Sequence, residues 1–313
     1  MSYIVMQQMI IIFILIAIGV FLFKSKHLTK ESTRDVSWIV VNVTNPIMLL
    51  SAALEDDKKV DINTLFIAFV SFLAVYAMLG LVSIVIPLLL GVKKDERYSY
   101  RYMSVFANVG FIGIPFCSAV LGVHSLIYVS LCSLVFNFIF YTVGIAQMEK
   151  IGRRQHPDGV AKSGRPSFAK VINSGTVFAV ITIIIYITGV KLPGVADTTL
   201  NYIGRSTTFL SMIILGVSVA QVAVKEIFGK WRLYLFVLVR QIAVPIVMFL
   251  ILRMFISNEI MLDTIVLLTA MPCANLPLMT AKQFDVEEST LSSGIILTTM
   301  LSIVTLPIVA TLL

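Results

Sequence analysis

The chain has 313 residues, of which 58% are hydrophobic and 13% charged, with a net charge of +7 and a mean hydropathy of +0.97. Soluble domains carry roughly a quarter of charged residues, so this composition excludes a water-soluble globular domain and makes the lipid bilayer the chain's first partner. The basic residues sit in short loops between apolar runs rather than along one face, which excludes a nucleic-acid partner, and Cys117, Cys132 and Cys273 lie inside apolar runs without metal-ligand spacing.

Apolar runs of the length needed to cross a bilayer recur along the chain and predict ten spans, at 6–23, 36–54, 62–91, 102–122, 125–147, 171–190, 204–224, 231–256, 262–281 and 291–313. The first lacks the basic region that precedes a signal-peptide core, and is expected to stay as a membrane helix. The second holds Asn42, Asn45 and Pro46 in its interior; the third is long and expected to tilt. The fourth is interrupted by Gly110, Gly113 and Pro115, and the ninth by Pro272 and Pro277. Gly in a helix interior costs about 1 kcal/mol and Pro about 3 kcal/mol. Broken backbone at membrane depth is tolerated only inside protein or beside a cavity.

The polar stretch 149–170 reads as a linker between a first unit at 1–148 and a second at 171–313. With the N-terminus outside, the expected cytoplasmic loops carry 18 Lys and Arg against 5 on the outer side, which fixes the orientation with both termini outside and the linker in the cytoplasm. Five spans on each side of the linker force the halves to insert in opposite senses. The expected fold class is therefore an all-α integral membrane protein of two inverted five-helix repeats, with broken fourth and ninth spans. Paired interruptions of this kind point to a transporter binding site.

Asn-Val-Gly-Phe-Ile-Gly-Ile-Pro at 108–115, Ala-Met-Pro-Cys-Ala-Asn at 270–275 and Ser-Ile-Val-Thr-Leu-Pro at 302–307 resemble the auxin efflux carrier family, whose bacterial members are often labelled malate or malonate permeases. The resemblance covers essentially the whole chain. It implies the fold of bile-acid/sodium symporters and sodium/proton antiporters, with spans one, two, six and seven as a scaffold and three to five and eight to ten as a transport domain. It also implies crossing of the broken spans at the midplane, elevator-type alternating access and a homodimer. The linker is far shorter than in plant auxin carriers, which favours small organic acids over auxin-like ones.

Asn108 and Asn275 sit at the interruptions, where their carboxamides and the half-helix N-termini either hold a carboxylate or satisfy broken backbone. Asn137 is a further member of the group, and Ser118 and Thr280 occupy matched positions after the prolines, with bonding to their own helix as the alternative. Arg240, deep in the eighth span, costs about 2.5–3.5 kcal/mol at a helix centre even on the lenient scale. It is either a cationic attractant, with Gln241 beside it, or a tether for backbone carbonyls. Asn45 and Pro46 either line the scaffold side of the site or mark a proline kink.

No span holds a mid-membrane carboxylate, which disfavours a proton relay; sodium coupling and uniport both stay open, and no cofactor or metal is expected. His27, His124 and His156 are scattered in loops and no catalytic constellation occurs, so an enzyme is not expected. The expected function is transport of small organic anions such as malate or malonate across the plasma membrane, the bacterial inner membrane; a receptor for an organic acid on a reused transporter fold is the alternative.

Overall fold

The computed structural model describes residues 2–56, 60–156, 171–221, 230–311 and 313. Residues 157–170 of the expected linker, Lys58 and Lys59 on the expected outer side, and Lys225 lie outside the described residues.

Among the described residues the architecture is all α: α1 (Ser2–Lys24), α2 (Lys30–Glu55), α3 (Ile62–Leu89), α4 (Arg97–Val105), α5 (Val109–Leu121), α6 (Val123–Gln155), α7 (Ser174–Thr188), α8 (Gly194–Ala220), α9 (Trp231–Leu252), α10 (Glu259–Ala270), α11 (Leu276–Gln283) and α12 (Ser289–Ala310). Six of them, α2, α3, α6, α8, α9 and α12, are long and apolar enough to cross a bilayer. Their composition is inverted relative to a soluble core. Phe66, Leu81, Phe138 and Val247 face outward, while Thr264, Thr298, Arg240 and Gln241 are fully buried, the arrangement expected when the solvent is hydrocarbon.

Local sequence sets the ends. Asn173 and Asn258 cap α7 and α10, their side chains accepting from Thr176 N at 3.1 Å and Met261 N at 2.9 Å. Gly189, at φ +70°, ends α7. The expected linker begins later than 149, because α6 stays helical through Gln155, where Glu149 and Arg153 pair at 2.6 Å one turn apart. The helix also begins earlier than 204 in α8, at Gly194, through a turn whose polar residues leave no trace in a hydropathy scan.

Just before Pro46, α2 takes a widened π turn, Val40–Thr44. The same device recurs at Val109–Gly113 and Val239–Ala243, each followed by a proline, Pro115 and Pro245. The amides of Asn45, Ile114 and Val244 donate five residues back, to Val40, Val109 and Val239. Widening the turn relieves the clash between a proline ring and the carbonyl four residues before it. A fourth π turn, Phe140–Gly144, lies in α6 without a proline.

Helix α8 packs against both α1 and α2, with α7 against α2, while α4, α9, α10 and α12 surround the interruptions. α1 and α8 touch backbone to backbone. A Cβ at Gly216 would overlap the Ile16 carbonyl oxygen, and one at Gly19 would overlap that of Ile213. Gly216→Val is therefore expected to force the helices apart and cost about 1–3 kcal/mol or more. A lowered midpoint of thermal unfolding in detergent is the check, and an unchanged midpoint would contradict the close approach. At the far end of α2, Asp56 Oδ1 meets His124 Nδ1 at 2.5 Å, tying that helix to the turn that opens α6.

Candidate functional site

The two interruptions meet. Between α4 and α5 the chain is extended at Phe106 and leaves the helix until Val109; between α10 and α11 it does so from Met271 to Asn275. Ala107 and Cys273 face each other as an antiparallel pair. Asn108 N donates to Pro272 O at 2.7 Å, and Ala274 N donates to Phe106 O at 2.9 Å. Backbone freed by the two breaks is thus satisfied partly by the other break, which is why each tolerates burial only in the other's presence. Pro272 serves by its carbonyl; Pro277 stands in the first turn of α11, where no amide hydrogen is needed, and Pro115 follows the π turn that opens α5. Gly113 allows α5 to lie against α10, since a Cβ there would be 2.9 Å from Leu268 Cδ2.

Neighbouring helices hold the rest. Thr298 Oγ1 of α12 accepts from Cys273 N at 3.2 Å and donates to Ile295 O at 2.9 Å, and Cys273 Sγ donates to Met103 O at 3.3 Å. Thr298→Val keeps the shape and orphans the Cys273 amide, an expected loss of about 1–3 kcal/mol, read as a lower unfolding midpoint; no change would show that the amide does not depend on Thr298.

Four helix ends converge on this crossing: the C-termini of α4 and α10 and the N-termini of α5 and α11. Arg240, 1% exposed in the π turn of α9, serves both C-termini. Its Nε donates to Ser104 O at 2.7 Å and its Nη1 to Thr269 O. The second amino group, Nη2, is buried without a partner. A guanidinium's fixed fork suits two carbonyls on separate elements, and its charge lies against the two partially negative ends. Of the two readings of Arg240, these hydrogen bonds supply the tether. Gln241 serves similarly, Nε2 donating to Thr298 O at 3.1 Å, with Oε1 buried and unpartnered.

The two N-termini carry the asparagines. Asn108, 4% exposed, caps α5, its Oδ1 accepting from Phe111 N at 3.0 Å; its Nδ2 makes no hydrogen bond among the described residues. Asn275, half-buried at the start of α11, makes no side-chain cap. Gly110 leaves its carbonyl to Asn45 Nδ2 at 3.3 Å, so Asn45 of α2 reaches the first turn of α5.

The remaining predicted residues divide. Thr280 Oγ1 donates to Leu276 O of its own helix at 2.9 Å. Ser118 is half-buried on α5. Asn137 on α6 faces the start of α7, where a Cβ on Gly175 would lie 3.5 Å from its Nδ2. Sequence reasoning missed Thr298, because a threonine in an apolar run carries no signal of what it bonds. It also missed the hydroxyls of Thr44, Thr207 and Ser211, which are buried.

A family model described as membrane transport protein matches residues 4–310. An uncharacterized transporter of Methanocaldococcus jannaschii is similar at 24% identity over 306 residues, which cover 95% of each chain. That family is one of transporters and not of enzymes. With the match running over both interruptions and the helices around them, the chain belongs to the membrane transport protein family, that of the auxin efflux carriers.

Proposed function

We propose that the chain carries small organic anions, carboxylates such as malate or malonate, across the plasma membrane, and that the anion binds where α5 and α11 begin. The observation that carries this reading is the asymmetric use of the four helix ends. Arg240 donates to carbonyls at both C-terminal ends, whereas the N-terminal ends carry no charged partner among the described residues: at α5 the neutral Asn108 Oδ1 takes one amide, and Asn275 caps none of α11. Such ends favour an anion, and Arg240 adds its charge through space rather than by contact.

With a fixed cation already on the ends that would attract a coupling ion, uniport driven by the membrane potential is the proposed mode. Movement of the crossing with α3 to α6 and α9 to α12 against α1, α2, α7 and α8 would expose the site alternately, in two inverted repeats whose scaffold pairs two chains. Both termini lie outside in this reading.

Uptake of radiolabelled malate and malonate into proteoliposomes tests it. Asn275→Ala removes a carboxamide that caps nothing, so it is expected to raise KM about tenfold with the unfolding midpoint unchanged. Uptake indifferent to Asn275→Ala would contradict the placement of the site.

A further inference from the structure

We propose that Thr44, Thr207 and Ser211 form a hydroxyl-lined contact for a carboxylate of the transported acid, with Asn45 Oδ1 accepting from a hydroxyl on that acid, so that 2-hydroxy acids are preferred. The proposal rests on the anion-carrier reading above and adds to it the α2 and α8 side of the site.

Placement follows from the packing of α8 on α2. Gly204 lies against Met48, where a Cβ would be 3.0 Å from Met48 Cα and 2.9 Å from Ser51 Oγ. Because α8 also touches the earlier part of α2 and its π turn, the two helices run in opposite senses. Thr207, one turn past Gly204, therefore falls beside Thr44 and Asn45, and Ser211 one turn further along the same face. α8 and the π turn of α2 both touch the π turn that opens α5, and Asn45 Nδ2 donates to Gly110 O there. All four residues thus lie where α2, α8 and the start of α5 meet.

Their chemistry is unspent. Thr44 Oγ1, Asn45 Oδ1, Thr207 Oγ1 and Ser211 Oγ are buried without a hydrogen-bond partner, in residues 3%, 6%, 0% and 0% exposed. Many buried helical hydroxyls bond back to their own helix, as Ser130 does to Leu126 O at 2.9 Å and Thr264 to Ile260 O at 2.6 Å, while those of Thr182 and Thr305 stand unpartnered singly, away from this junction. Three unpartnered hydroxyls and an unpartnered amide oxygen at one junction are unusual, since buried polar atoms are ordinarily paired. Three of them are O–H donors beside the positive start of a helix, which suits a carboxylate. The fourth is an amide oxygen, which only accepts, and a hydroxyl next to the carboxylate supplies its donor. The four atoms are closed off in this arrangement, so the acid reaches them when α5 draws away from α2 and α8.

Malate and succinate differ by one hydroxyl, so their currents and KM values in proteoliposomes containing the full chain test the proposal. The wild type is expected to favour malate about tenfold, and Asn45→Ala to bring the two acids together. Thr207→Val with Ser211→Ala is expected to raise KM for both acids about tenfold without lowering the unfolding midpoint, because it removes only unpartnered hydroxyls. A merely structural role would leave KM unmoved. Thr182→Val on α7, which deletes a hydroxyl that is equally buried and unpartnered, is the matched control and is expected to leave KM unchanged. If the double variant does not fold, the isosteric Thr207→Val alone carries the test.

An unchanged KM in the hydroxyl variants, or equal handling of malate and succinate by the wild type, would overturn the proposal. Loss of transport in Asn108→Asp alongside normal transport in the hydroxyl variants would sink this proposal alone. Absence of transport of either acid by the wild type would overturn it together with the carrier reading.

Discussion

Arg240→Leu is expected to abolish transport and to destabilise the fold by about 2–5 kcal/mol, because two buried carbonyl groups lose a charged donor. The guanidinium is the shared partner of Ser104 O and Thr269 O, the last turns before the two breaks, so its loss loosens both half-helices together. Arg240→Lys is expected to fall between, since a single ammonium on a flexible stem does not fork across two helix ends. Thermal unfolding in detergent and uptake by proteoliposomes check this pair. A leucine variant with wild-type stability would contradict the tether, and one with wild-type uptake would contradict any part for the guanidinium charge in attracting the anion.

Asn108→Asp has the second largest expected effect, and stability and activity should separate. Aspartate keeps the cap on Phe111 N and interacts favourably with the start of α5, so the unfolding midpoint should be unchanged or higher. Its carboxylate replaces the Nδ2 donor with a negative charge where the anion is proposed to bind, and transport is expected to fall at least about tenfold. Asn108→Ala, by contrast, loses the cap as well, at about 1 kcal/mol. A fully active Asn108→Asp variant would place the anion elsewhere.

Much of this was legible in the sequence, for physical reasons that differ by residue. Gly110, Gly113 and Pro115, and Pro272 and Pro277, are costly in a helix and so announced irregular backbone in these two spans; the breaks themselves fall at 106–108 and 271–275, with Pro272 inside the second and Gly110, Gly113, Pro115 and Pro277 in the helices that follow. The depth of Arg240 was legible from its cost in lipid, but not its two carbonyl partners, which lie far from it in sequence on α4 and α10. Nor was the antiparallel pairing of Ala107 with Cys273, since backbone hydrogen bonds carry no side-chain signature. Pro46 announced an irregularity, yet whether a proline bends a helix or widens its turn depends on packing against α7 and α8, which hydropathy does not record. The unpartnered hydroxyls of Thr44, Thr207 and Ser211 look like any others in an apolar run until their neighbours are known.

The most direct test of an anion bound at the crossing is electrical. Proteoliposomes adsorbed on a solid-supported membrane receive a jump of malate or malonate in sodium-free buffer, with the wild type compared against Asn108→Asp and Asn275→Ala. A transient current in the wild type without sodium, lost in Asn108→Asp and shifted to higher acid concentration in Asn275→Ala, is the predicted result. A folded wild type that gives no current with either acid, or variants whose currents match it, would contradict an anion carrier with its site at the crossing.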